Sequence, residues 1–238
     1  MSAGVPNQAR YSLLASTSTT AHVTSPTEVA HIAFAFVVLT ADLVVILSGR
    51  GLLEGGTLSG LLAPVPLFWL LLAIAAGSTG FIAHEMAHKL AARRLGYWAE
   101  FRIWPTGLLL SLVTSLAGFL FAAPGATVVE GMGPTDVQGW GRVAVAGPVS
   151  NLLFAAGFYS ASLATFGSDW ITGEALLFLA MINTLFATFN LLPIDPLDGA
   201  KVLRWGVGRW IATFAVAVAT LAVASTAFYF FRSPFPTW

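Results

Sequence analysis

The chain has no cysteine, so neither disulfides nor thiolate metal ligands are open to it. Charge is scarce as well. Only 9% of the 238 residues are Asp, Glu, Lys or Arg, against roughly 25% in a soluble globular domain. Eleven basic and eleven acidic side chains do not cover a water-facing body of this size, which excludes that class. The net charge is zero and no basic stripe runs along the chain, so nucleic acid is excluded as a partner. With 57% of residues hydrophobic, disorder is excluded too, because it needs low hydrophobicity and high net charge. The class that remains is a helical protein crossing a lipid bilayer several times.

Six long apolar stretches follow one another, at 29–47, 61–83, 103–129, 143–168, 175–194 and 210–231. A helix needs about 20 apolar residues to cross the hydrocarbon core. Five stretches read as plain spanning helices. The stretch 103–129 does not: it holds Pro105, Gly107, Gly118, Pro124 and Gly125 and ends in the β-leaning trio Thr127-Val128-Val129. The expected fold is an all-α polytopic membrane protein of five to six transmembrane helices, with a re-entrant, β-containing segment at about 103–129. Residues 1–27, rich in Ser, Thr and Ala, read as a flexible tail without a signal-peptide pattern. Residues 28–238 read as one intramembrane domain with no separate soluble domain.

Basic residues set the orientation. If 103–129 enters and returns, then Arg10, Lys89, Arg93, Arg94, Arg102, Arg142, Lys201, Arg204 and Arg209 share one face, and Arg50 and Arg232 take the other. If it crosses fully, Arg142, Lys201, Arg204 and Arg209 change sides and the bias disappears. The positive-inside rule therefore favours the re-entrant path and puts the basic face in the cytoplasm.

Ionisable residues within spans are costly and mark function. The sharpest signal is His84-Glu85-Met86-Ala87-His88, an H-E-x-x-H pattern at the end of 61–83. On a helix, positions i and i+4 share a face, so both imidazoles can grip one ion. Glu85 then stands beside the ligands, where a general base for an activated water belongs. With four His and six Glu in the chain, chance yields this pattern in roughly one chain in 600. The bland alternative is an interfacial polar helix face meeting lipid headgroups.

A catalytic zinc takes three protein ligands and keeps one position open. The third ligand is sought in Asn190-Leu-Leu-Pro193-Ile-Asp195-Pro196-Leu-Asp198-Gly199, where two prolines break the helix begun near 175 and a glycine permits a sharp turn. Spacing leaves Asp195 and Asp198 both open. Depth limits the topology: full crossing of 103–129 would put Asp198 ~30 Å from the histidines. Asn190 reads either as a donor to developing negative charge or as an interhelical bond. Asn151, behind Gly147-Pro148, reads as a mark of a kink and close helix approach, and His31 and Asp42 read as polar residues paired to a neighbouring helix or as an ion-pathway pair. Trp98, Trp104, Trp140 and Trp210 read as interfacial anchors.

Three elements together resemble the site-2 proteases, which are intramembrane zinc metalloproteases. They are His84-Glu-Met-Ala-His88, Asn190-Leu-Leu-Pro193 through Leu197-Asp198-Gly199, and Ala146-Gly147-Pro148-Val149-Ser150-Asn151, in the family's order over roughly residues 66–205. The resemblance implies one zinc per chain held by His84, His88 and Asp198, Glu85 as base, and Asn190 in substrate or oxyanion contact. It also implies that Phe121-Ala-Ala-Pro124-Gly125-Ala belongs to the membrane-embedded strands of that family. Leu191 is a departure, since the family often has proline directly after the asparagine.

The expected activity is hydrolysis of a peptide bond in or near the transmembrane segment of a membrane-anchored protein substrate, in the cell membrane, with the active site toward the cytoplasm. The competing reading is a non-catalytic transporter or ion-binding scaffold with broken helices.

Overall fold

Ser25 accepts a hydrogen bond from the backbone N–H of Glu28 at 3.1 Å, and Pro26 follows it at the first helical position, so the chain enters helix α1 (Pro26–Leu47) at a capped end. The computed structural model describes residues 24–121 and 123–231. Arg10, His22, Arg232 and most of the expected tail lie outside the described residues, and α1 begins two residues before the tail was expected to stop.

After a 3₁₀ turn (Leu52–Glu54) and a one-turn helix (Leu58–Leu61), helix α2 (Leu67–Gly77) runs through a π-helical turn (Ser78–Ile82) into α3 (Ala83–Arg94). Then come strand β1 (Trp98–Ile103), helix α4 (Pro105–Ala117), strand β2 (Gly125–Glu130), and helices α5 (Val137–Thr165), α6 (Trp170–Asn190), α7 (Asp198–Trp205) and α8 (Val207–Phe231). Among the described residues, five helical stretches are long and apolar enough to cross a membrane: α1, the continuous α2–α3 stretch Leu67–Arg94, α5, α6 and α8. The protein is a multi-pass membrane protein.

The stretch 103–129 does not span. Its helix α4 has 13 residues, which at 1.5 Å each reach about 20 Å against a core of about 30 Å. It starts with Pro105 at N1 and stops at Gly118, whose φ of +99° suits glycine. The excursion also closes on itself. Strands β1 and β2 pair antiparallel from Trp98↔Glu130 to Ile103↔Gly125, and the Trp104 N–H then donates to the Pro124 carbonyl at 2.9 Å. The segment therefore leaves and returns at one level, which bears out the re-entrant reading. The expected β element is β2; its partner β1 was not foreseen.

One edge of this two-stranded ribbon is sealed. The Phe101 N–H donates to Glu28 Oε1 at 3.0 Å, and Glu28 Oε2 is ion-paired with Lys89. Both charges are buried among α1, α3 and β1, and Lys89 also donates to Thr24 at 3.1 Å. Hydrogen-bonding direction alternates along an antiparallel strand. Since Phe101 points its N–H away from β2 and Trp104 points its N–H toward it, the paired residue Thr127 turns its own N–H and C=O away from β1. Gly125 and Val129 share that phase. Among the described residues their backbone groups have no hydrogen-bond partner and form the free outer edge of β2.

Small residues let the helices approach closely, as membrane packing requires. Ala73 and Ala76 of α2 are fully buried against α1, where Ala35, Leu39 and Leu43 face inward, and Phe81, Phe101, Leu179 and Ile182 complete this cluster. A second cluster, Ala144, Ala187, Leu191, Val202 and Ala217, joins α5, α6, α7 and α8. The two clusters flank the polar residues on α3.

Candidate metal centre

Helix α3 displays His84 and His88 on one face, with Nε2 atoms 3.0 Å apart. Helix α6 ends at Asn190, the prolines carry the chain away from helical geometry, and α7 starts at Asp198 with its carboxylate turned inward. Asp198 Oδ2 lies 3.2 Å from His84 Nε2 and 3.0 Å from His88 Nε2. All three residues are buried. Three donor atoms thus form a near-equilateral triangle. Bonds of about 2.1 Å in a tetrahedral zinc site require ligand–ligand edges of about 3.4 Å, so the triangle has the size of one face of such a site.

Two further features fit a cation. Nδ1 of His84 lies 2.6 Å from Asn151 Oδ1, and Nδ1 of His88 lies 2.7 Å from the Val143 carbonyl. Both partners are acceptors, so each ring donates from Nδ1 and leaves Nε2 as the atom that can bind an ion. Two Nε2 atoms and a carboxylate oxygen at 3.0–3.2 Å from one another are the donor types and spacing that a divalent cation takes. Gly147 of α5 supplies the space: a Cβ built there would overlap Nε2 of both histidines. The residues fit a divalent ion of zinc's ligand preference.

Glu85 stands beside this triangle. One of its carboxylate oxygens lies within 4.8 Å of a ring nitrogen of each histidine. Thr127 of β2 donates to Glu85 Oε2 at 2.8 Å, so the strand with the free edge is tied to the carboxylate next to the histidines. A cavity of about 450 Å³ lies between the triangle and β2, lined by Thr127, Val129, Trp140, Asn190 and Lys201 among others.

The two aspartates have separate fates. Asp195 is two-thirds exposed and takes both Arg204 nitrogens at 3.0 and 3.1 Å, which holds its carboxyl below the usual carboxylate range. Asp198 alone reaches the histidines, its other oxygen 3.4 Å from Lys201 Nζ. Asn190 lines the cavity, and its amide nitrogen donates to the Phe186 carbonyl of its own helix at 3.0 Å. Asp42 is paired to a neighbouring helix, accepting from Ser115 of α4 at 2.7 Å. His31 lies three turns away, roughly 16 Å along α1, so the two form no pair.

The sequence reading missed the contacts of Asn151, Gly147 and Thr127 with the triangle and Glu85. Gly147-Pro148 with Asn151 one turn on was seen, and it signalled close helix approach rather than a hydrogen bond to an imidazole.

Residues 168–231 match the family model described as Peptidase family M50. The chain is 39% identical over 142 residues to "Putative zinc metalloprotease MJ0611" of Methanocaldococcus jannaschii, covering 58% of this chain and 71% of that protein. It is 33% identical over 153 residues to Rip3 of Mycobacterium tuberculosis and 32% over 158 residues to sll0528 of Synechocystis, whose names have the same form. Those alignments cover 63% and 64% of this chain, and only 34% and 33% of the two proteins. No solved structure matches the chain. With its triangle of two imidazoles and a carboxylate and its likeness to the archaeal protein over most of that protein's length, the chain belongs to Peptidase family M50, the site-2 protease family.

Proposed function

We propose that the chain is a zinc-dependent intramembrane endopeptidase, with one zinc per chain held by His84, His88 and Asp198. Its substrate is a membrane-anchored protein, cut in or near its transmembrane segment. The observation that carries this reading is the 3.0–3.2 Å triangle of Nε2, Nε2 and Oδ2, with a carboxylate base one residue along α3. When bound, zinc would polarise the scissile carbonyl and lower the pKa of its water toward about 7.

The protein's own groups do the rest. Glu85 takes a proton from the attacking water and passes it to the leaving amine. Thr127 donates to Glu85 and holds its carboxylate in one orientation. Asn190, whose amide lines the cavity, contacts the substrate carbonyl where negative charge develops. A helical substrate has every backbone group bonded, so it unwinds before a carbonyl can be reached. The free edge of β2 receives the unwound stretch as an added strand, its N–H and C=O pairing with those of Gly125, Thr127 and Val129.

Helices α3 and α7, whose first turns carry His84 and Asp198, end in Arg93, Arg94 and Arg204, part of the basic face of the chain. This supports a site on the cytoplasmic side of the cell membrane. Membership of a peptidase family sets aside the transport reading.

The test is Glu85→Gln in the full chain, with zinc content and cleavage of a membrane-anchored reporter measured side by side. The expected outcome is one zinc retained and cleavage abolished. Undiminished cleavage overturns the mechanism.

A further inference from the structure

His88 is held from behind by a backbone carbonyl, which can only accept. His84 is held by a side-chain amide, whose two ends differ in sense: oxygen accepts, nitrogen donates. The Asn151 amide therefore has to be fixed in one orientation for His84 to present a free Nε2. The structure contains the means. Asn151 is fully buried, and its Nδ2 donates to the Gly80 carbonyl at 3.0 Å, Asn183 Oδ1 at 3.2 Å and the Thr79 carbonyl at 3.3 Å. Asn183, also fully buried, donates from Nδ2 to the Leu179 carbonyl at 2.9 Å and to Thr79 Oγ1 at 3.0 Å, which leaves its Oδ1 for Asn151. Thr79 in turn donates to the Ala75 carbonyl at 2.9 Å.

All these bonds run one way. The protons point from His84 to Asn151, from Asn151 to Asn183, from Asn183 to Thr79 and from Thr79 to Ala75. Backbone carbonyls end every branch, so no member can reverse. A flipped Asn151 would set its oxygen against three oxygens and its nitrogen against His84, moving the imidazole proton to Nε2. Two of the three acceptors, the Thr79 and Gly80 carbonyls, belong to the π-helical turn Ser78–Ile82, directly before the H-E-x-x-H segment. A π turn widens the helix locally and turns carbonyls aside from the regular ladder.

We propose that Asn151 and Asn183 are positioning residues, forming with Thr79 and the π turn a one-way hydrogen-bond relay that fixes the tautomer and ring plane of His84 and thereby sets the metal affinity of the site. The inference rests on the reading that His84 is a zinc ligand. It assigns to the π turn the role of orienting an amide on another helix.

The experiment uses the full chain in detergent, with zinc affinity measured by competition against a chelator, the visible spectrum of the Co²⁺-substituted protein, and thermal unfolding of the zinc-free form. Outer partners of metal-bound histidines are worth about 10–100-fold in metal affinity. Asn151→Leu is expected to weaken zinc by that factor and alter the Co²⁺ spectrum. Asn151→Asp, which keeps an acceptor for Nδ1–H and, when protonated, a donor toward the three oxygens, is expected to retain more zinc affinity than Asn151→Leu. Asn183→Leu leaves the direct partner of His84 in place, and a loss of about threefold is expected.

Wild-type affinity in Asn151→Leu, or equal losses in the Leu and Asp variants, overturns the relay. Should Asn151→Leu not fold, unchanged affinity in Asn183→Leu overturns it. A native chain that binds no zinc overturns the metal reading itself, which keeps the two failures apart.

Discussion

Thr127 of β2 donates its hydroxyl to Glu85 of α3 at 2.8 Å and, at 3.2 Å, to the Glu85 backbone carbonyl. One side chain on the strand thus fixes the strand and the base relative to each other. A hydrogen bond to a charged group contributes about 1.5–3 kcal/mol. Thr127→Val is therefore expected to lower kcat by about 10–100-fold with zinc content unchanged. Thr127→Ser should restore most of the rate. Loss of zinc in the Val variant would show that the residue shapes the metal triangle instead.

Proline scanning of β2 tests the phase of its free edge. Proline removes a backbone donor. The N–H of Val129 faces outward and that of Val128 faces β1, so Val129→Pro is expected to abolish cleavage with the ribbon and zinc intact. Val128→Pro removes a ladder bond and should disturb the β1–β2 pairing itself. Full processing by Val129→Pro would end the strand-addition proposal.

Gly147→Ala leaves every proposed ligand in place and is expected to abolish zinc binding, because the new methyl overlaps both Nε2 atoms. Metal analysis reads this directly. Retention of one zinc would mean that α5 moves away from α3.

Asp198→Ala is expected to lose zinc and Asp195→Ala to keep it. The Asp195–Arg204 pair is exposed on both sides, and exposed pairs contribute little to stability. Zinc loss in the Asp195 variant alone would reverse the assignment.

A ligand that binds only the folded state stabilises it by mass action. The proposed ion ties α3 to α7, so a chelator is expected to lower the unfolding temperature of the native chain, and zinc should restore it. In Gly147→Ala the unfolding temperature should not respond to chelator.

Much of this arrangement was legible in the residues. His84 and His88 one turn apart required only helix periodicity, and the crowd of Gly and Pro between 103 and 129 announced a segment that could not span. Asp198 against Asp195 was not resolved by spacing, because the choice rests on Arg204, a turn farther on in α7, drawing Asp195 outward. Strand β1 was missed although Ala99, Phe101 and Ile103 alternate with Glu100 and Arg102. Six residues are too short a run to stand out, and only pairing with β2 makes the alternation structural. The Glu28–Lys89 pair joins residues 61 apart. A lone Asn in a span carries no local sign of which helix it faces, so the partnership of Asn151 with His84 needed the fold.

The capping of the Phe101 N–H by Glu28 has a consequence for assembly. An exposed ribbon with two open sides is a template on which further strands stack without end. Here one side is closed by a carboxylate that no incoming chain can displace without unpairing a buried lysine. The side left for the proposed strand addition is that of β2, whose Thr127 is bonded to Glu85. A strand stacking on β1 would have to break the Glu28 bond to Phe101, so the capped side resists the open-ended pairing that a bare edge invites.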